Sequence, residues 1–236
     1  MRLVSCPSFF GTDYNSTQRS LLILNTDIYF VIKQRYPGEQ GGTAIARVIR
    51  GKVNPGGKLP MVFVKHAEHL PFFDRNAQTI DYEYWHGYRK LEKEHIEPAF
   101  PFGFGLSFTT FELSSARVEV VSSVPQDELS NSALTCLVTV GNTGSVVGDE
   151  VVQVYLSAVD SRVDPRPIKE LIGFKRVKNI QPGEKREIEL SIPWERLAYY
   201  DTVKQEFEVE RCMYHVIFAR HSLDVEALSV PVDLRT

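Results

Sequence analysis

Excess positive charge is missing from this sequence. Its 236 residues carry 27 Lys and Arg against 30 Asp and Glu, a formal net charge of −3. Binding to a nucleic-acid backbone draws on clustered cations. No basic tail or long run of one sign occurs, so no nucleic-acid partner is expected. Cysteine is scarce as well. Cys6, Cys136 and Cys212 are too few for a disulfide scaffold, and no Cys-x-x-Cys or His-rich spacing suggests zinc. Neither a metal nor a cofactor is expected. Long apolar runs are also lacking. The most apolar stretch, residues 21–32, is broken by Asn25, Thr26 and Asp27 and falls far short of the ~20 residues that cross a bilayer. No membrane contact is expected. The opening MRLVSCPSFFGTDYN has no apolar core of signal-peptide kind. The chain is therefore read as intracellular, or as having lost an export signal with a missing front part. The sequon at Asn15-Ser16-Thr17 matters only in a secreted chain.

What is present suits a packed protein: 43% hydrophobic and 24% charged residues, in a length that holds one large domain or two ordinary ones. The chain changes character near residue 110. Before it lie Gly- and Pro-rich turns, many aromatics and one helical pattern. Ile45, Val48 and Ile49 fall at i, i+3 and i+4 behind Tyr36-Pro37-Gly38. Glu39 stands near the helix start and Gly51 suits its C-terminal cap. The turn Asn54-Pro55-Gly56-Gly57 then leads to a short strand expected at residues 59–64. Such a helix–turn–strand piece is half of an αβ unit and cannot bury both faces alone.

From Phe111 onward the pattern is nearly all strand. Leu134, Cys136, Val138 and Val140 alternate with Thr135 and Thr139. Val152, Val154 and Leu156 alternate with Gln153 and Tyr155. Ile188, Leu190 and Ile192 alternate with Glu187, Glu189 and Ser191. Tyr214, Val216 and Phe218 alternate with His215 and Ile217, and Leu228, Val230, Val232 and Leu234 close the series. Each apolar set is expected to face a sandwich interior and each intervening set to face outward. The expected fold is mainly β, a fibronectin type III/immunoglobulin-like antiparallel β-sandwich of about seven strands, preceded by an incomplete α/β segment.

Several segments are recognisable in order. Residues 36–42, YPGEQGG, resemble a YPGQEGG segment of glycoside hydrolase family 3, the β-glucosidase and β-xylosidase family, with Glu and Gln exchanged. Residues 51–60, GKVNPGGKLP, are similar to its G-x-x-NPSGKLP turn. His86-Gly87-Tyr88-Arg89 and residues 97–111, EPAFPFGFGLSFTTF, resemble its GYR and PLFPFGHGLSYTTF motifs. Asn142-Thr143-Gly144, residues 148–153 (GDEVVQ) and residues 166–176 (RPIKELIGFKR) resemble its fibronectin type III-like domain. Residues 1–35 show no such likeness and stay unassigned. Glu210-Arg211-Cys212-Met213 stands where the family has a Pro-Gly turn. The division expected is 36–110 as the end of an α/β sandwich domain with its linker, and 111–236 as the fibronectin-like domain.

The resemblance implies hydrolysis of terminal non-reducing β-D-glucosyl residues by the full-length form, with β-linked glucosides or oligosaccharides as partners. Glucoside and xyloside remain equally open. Cleavage with retention needs two carboxylates about 5–5.5 Å apart, one protonated and one ionised. The resemblance places the nucleophilic Asp on a preceding barrel and the acid/base Glu upstream of Tyr36. No catalytic residue is therefore assigned here, no substrate-binding residue is identified, and the chain is expected to be inactive alone. The alternative is a non-catalytic carbohydrate-binding or structural β-sandwich module.

The residues themselves offer weaker candidates. Glu83 lies in Asp81-Tyr82-Glu83-Tyr84-Trp85-His86, where aromatics can stack on sugars. The plainer reading packs those rings between domains, with Glu83 solvated or paired to Arg89. His86 and His215 have no partner at metal or triad spacing. The Phe-rich run around Gly103 and Gly105 reads as interdomain packing, and the charged loop 160–169 as an exposed sandwich loop or a polysaccharide contact. Cys136 and Cys212 fall on strands analogous to those that carry the immunoglobulin disulfide, and a bridge and two buried thiols both remain open.

Overall fold

The computed structural model describes residues 20–25, 28–33, 38–81, 83–121 and 132–235. The chain divides into two compact units, Met1–Pro55 and Gly56–Thr236. In the first, strand β1 (Ser20–Asn25) pairs antiparallel with β2 (Ile28–Lys33), Ser20 opposite Lys33. The apolar stretch thus makes two paired strands, separated at its polar interruption. Helix α1 (Gly41–Ile49) forms where the Ile45/Val48/Ile49 stripe demands it. Gly51 ends it at φ +66°, donating to the Val48 carbonyl at 2.9 Å. A residue with a Cβ is strained in that conformation, which is why glycine stands there. Glu39 lies outside the first turn, one residue ahead of the cap Gln40.

The second unit opens with residues 56–110, which carry a 3-10 turn at Ala67–His69 and one helix, α2 (Gly87–Lys93). The strand expected at 59–64 is not regular. It shrinks to a single bridge, Phe63 to Phe100, flanked by Leu59 N–H to the Phe104 carbonyl (2.8 Å). Pro60 has no N–H to give and Pro101 none to return, so a ladder cannot propagate.

The sandwich follows. Strands β3 (Phe111–Val120), β4 (Ser132–Asn142) and β7 (Lys185–Pro193) form one sheet in the order β3-β4-β7. Strands β5 (Gly148–Ala158), β6 (Glu170–Ile180), β10 (Met213–Ala219) and β11 (Leu228–Asp233) form the other, in the order β11-β10-β5-β6. All neighbours are antiparallel. A separate small hairpin pairs β8 (Tyr199–Asp201) with β9 (Glu206–Glu208). Seven strands in sheets of three and four match the fibronectin-like expectation. Glu170–Ile180, seen in the sequence only as a motif, is one of those strands.

Between the sheets lie Leu134, Cys136, Val138 and Val140 from β4, Val152 and Val154 from β5, and Tyr214, Val216 and Phe218 from β10, all fully or almost fully buried with Trp194. Burying each such side chain contributes about 1.5–3 kcal/mol relative to leaving it in water. Strands β6 and β7 end their sheets on the same side. Lys175 Nζ reaches across to the Glu189 carbonyl (2.8 Å), and a lysine on an edge strand discourages pairing with foreign chains. One expectation fails clearly. Gln153 and Tyr155 alternate outward from the core on β5, yet they are 3% and 0% exposed. Something covers the outer face of that sheet.

Candidate functional site

The cover is the family-like segment 56–110. Gly103 sits at φ +77° with its backbone against the Gln153 side chain; a Cβ there would lie 2.0 Å from Gln153 Oε1. Gln153 Nε2 donates to the Gly103 carbonyl (3.1 Å) and to the Arg220 carbonyl (2.7 Å), and its Oε1 accepts from Tyr155 Oη (2.7 Å). A buried amide with partners on both ends is stable; one left unpaired costs about 1–3 kcal/mol. Tyr88 stacks on Phe102 (4.8 Å between centroids) and meets Tyr155 edge-on. Burial pushes the Tyr155 and Tyr88 phenols upward, so both are neutral donors or acceptors throughout the physiological range.

Ion pairs frame this aromatic seam. Lys58 Nζ lies 2.7 Å from Glu150 Oε1, both side chains nearly buried. Arg89 pairs with Glu170 (2.7 Å) and Glu92 with Lys169 (3.3 Å). Arg220 grips Asp224 through two nitrogens and donates to the Phe111 carbonyl (2.8 Å). Burial alone would raise the Asp224 carboxyl, but the Arg220 hydrogen bonds outweigh it and bring it to about 2.

Glu83 is exposed. The Arg89 pairing suggested for it does not form, because Arg89 turns to Glu170 on the sandwich. Tyr82 lies outside the described residues. Tyr84 is half-exposed and packs edge-on against Trp85 (5.1 Å), whose face is covered by Lys93 Nζ at 4.0 Å. A covered indole is not a free sugar platform. His86 holds the N-terminal cap position of α2, its Nδ1 3.0 Å from the Glu83 carbonyl, and His215 sits half-buried on β10. No group of three metal-ligating side chains occurs among the described residues.

The loop 160–169 is less open than expected. Glu210 accepts from Ser161 Oγ (2.6 Å), the Arg162 amide (2.6 Å) and Arg166 Nη1 (3.0 Å), with the Arg166 and Glu210 side chains only 10% and 12% exposed. Two carboxylates poised for glycoside cleavage need contrasting surroundings close together. Among the described residues the carboxyl held above its usual range is that of Glu92, raised by burial against the pull of Lys169. Its oxygens are sealed from solvent and face a lysine. That is the geometry of a structural ion pair.

Residues 15–108 match the glycosyl hydrolase family 3 C-terminal domain, and residues 150–222 match the fibronectin type III-like domain. The chain belongs to glycoside hydrolase family 3. The match begins upstream of Tyr36, the first motif visible by eye. A probable β-glucosidase I of Aspergillus oryzae is 36% identical over 189 residues, covering 77% of this family 3 chain and 22% of the relative. The crystal structure of β-D-glucoside glucohydrolase from Trichoderma reesei superposes with a TM-score of 0.77 at 26% identity, over 84% of this chain and 29% of that one. β-Glucosidase 3B of Thermotoga neapolitana, solved with α-D-glucose, gives 0.74 at 32% identity, over 84% and 27%. The chain thus spans about a quarter of the length of these relatives and matches their C-terminal region.

The seam residues that sequence reasoning missed are Gln153, Tyr155 and Glu92, which key the motif segment to the sandwich. Strand alternation assigned the first two to solvent. The quoted GDEVVQ motif contained Gln153, but nothing local said what would cover it.

Proposed function

We propose that this chain is the supporting C-terminal part of a β-glucosidase-type hydrolase, whose full form removes terminal non-reducing β-D-glucosyl residues from glucosides or oligosaccharides. It brings no cleavage chemistry of its own. Residues 56–110 act as a strap continuous with the rest of an α/β domain, and residues 111–236 as the brace to which the strap is fixed. The observation that carries this reading is the seam at Gly103–Gln153, where a buried amide of the brace accepts only a Cβ-less strap. Such a joint favours rigid positioning, on which catalytic geometry depends. The net charge of −3 supports neither a nucleic-acid nor an anionic-membrane partner.

The test is hydrolysis of an aryl β-glucoside by the purified chain. No turnover above background is expected, since losing proton-transfer assistance alone costs about 10²–10⁴-fold. Turnover that persists through purification and vanishes in Glu83→Gln would overturn the reading.

A carbohydrate-binding module is the second reading, favoured by one feature. Tyr200 and Phe207 face each other across the β8–β9 hairpin, 50% and 61% exposed. Affinity electrophoresis in soluble β-glucan distinguishes the two, since retardation lost in Tyr200→Ala/Phe207→Ala would establish binding there.

A further inference from the structure

Helix α2 has seven residues and buries only one of them, Leu91. A helix this short does not persist in water by itself. Beside it an apolar groove of about 450 Å³ runs past Val62, Leu91, Ile96, Ile168 and Leu223, so apolar packing on that flank is incomplete. Three polar rungs join the helix to the start of β6. Tyr88 Oη accepts from the Leu171 amide (3.0 Å), Arg89 pairs with Glu170 (2.7 Å), and Glu92 meets Lys169 (3.3 Å). The third rung is unlike the others. Both Glu92 oxygens are shut off from solvent, and the Lys169 ammonium is the polar partner they face, off the geometry of a good hydrogen bond.

We propose that the contact between α2 and β6 is a pH-dependent clasp that closes more tightly as the pH falls from neutral to mildly acidic. An ionised carboxylate stripped of water is costly, and a single imperfectly placed lysine does not fully offset that cost. Burial accordingly raises the Glu92 carboxyl above its usual 4.5 despite Lys169. When α2 lifts, Glu92 returns to water and to the ordinary value. The closed form therefore takes up a proton at higher pH than the open form does. Closure gains as the pH falls through the closed-state value and gains no more below the open-state value.

Lys169 faces Glu92 from just before β6 and Tyr155 from β5, Tyr88, His95 and Glu97 line the same groove, and the Arg89–Glu170 pair stands beside it. His221, with Asp224, Lys58 and Arg220 about it, acts on Lys169 from beyond β10. His221 works in the opposite sense. Burial lowers its imidazole, so acidification favours exposing it. Replacing Glu92 separates the two.

Hydrogen–deuterium exchange of the peptide spanning 86–95, in the whole chain at about pH 5 and about pH 7.5 with times matched for intrinsic exchange, is the test. Protection should rise measurably at the lower pH, and stay level or fall in Glu92→Gln. Unchanged or reduced protection in the native chain, or an equal rise in the variant, would overturn the clasp. Should the variant not fold, a carbon-13 titration of the native Glu92 carboxyl decides. A midpoint above the usual 4.5 supports the clasp, and one at or below it rules the clasp out.

Discussion

Gln153, on the outer face of the sandwich, holds Gly103 by its carbonyl at 3.1 Å while leaving no room for a Cβ there. This pair joins a family motif to a strand 50 residues further along. Gly103→Ala combines a left-handed backbone with a direct clash, and should cost about 2–4 kcal/mol. Gln153→Leu strands the Gly103 and Arg220 carbonyls and the Tyr155 hydroxyl, at a similar cost. Urea unfolding at constant m-value measures both. A loss below half a kcal/mol in Gly103→Ala would mean the two segments are not keyed as described.

Glu210 gathers the loop 160–169 through Ser161, Arg162 and Arg166. Removing it leaves Arg166 buried without its counter-charge. Glu210→Ala should therefore lose about 3–5 kcal/mol, and Arg166→Met/Glu210→Met distinctly less. Thermal unfolding of the three proteins shows whether the double variant recovers.

Cys136 and Cys212 are free and buried. Burial pushes the Cys136 thiol to about 12 and raises Cys212 as well. With little thiolate and little access, neither should react with a thiol reagent at about pH 8 in the native chain, and both should react in denaturant. Rapid labelling of either thiol without denaturant would contradict this.

Asp224 lies at about 2 in the folded chain against an ordinary 3.8. Its folded value is depressed, so its contribution is complete above the unfolded value and is lost as the pH falls through 3.8 towards 2. That contribution is about 2 kcal/mol at neutral pH. Asp224→Asn should lose it there and flatten the stability profile across that acid window. A parallel profile in wild type and variant would refute the role of the Arg220 grip.

Limited proteolysis checks the organisation of the chain. Strand patterning begins near residue 110, but Lys58, Tyr88, Arg89, Glu92 and Gly103 all contact the sandwich, and the compact unit starts at Gly56. The stable product should begin near residue 56, with exposed Phe72 and Phe73 marking the more accessible internal site. A product beginning near residue 110 would show that the strap is only loosely held.

Alternation with a period of two determined five of the seven sandwich strands by itself. Ile188, Leu190 and Ile192 can bury together only on one face of a strand, and Glu187, Glu189 and Ser191 then point to water. The Ile45/Val48/Ile49 stripe and Gly51 determined α1 in the same local way. What the sequence left undecided was any surface covered from a distance. Gln153 and Tyr155 occupy positions that alternation assigns to solvent, and Glu92 is a charged residue on a short helix. Their removal from water follows from residues 56–110 folding back over β5 and the start of β6, through contacts between segments about 50–90 residues apart. Local periodicity reports which face of an element is apolar. Only the tertiary structure decides whether the polar face meets water or another part of the chain, because that depends on which segment, among many compatible ones, brings matching hydrogen bonds and opposite charge.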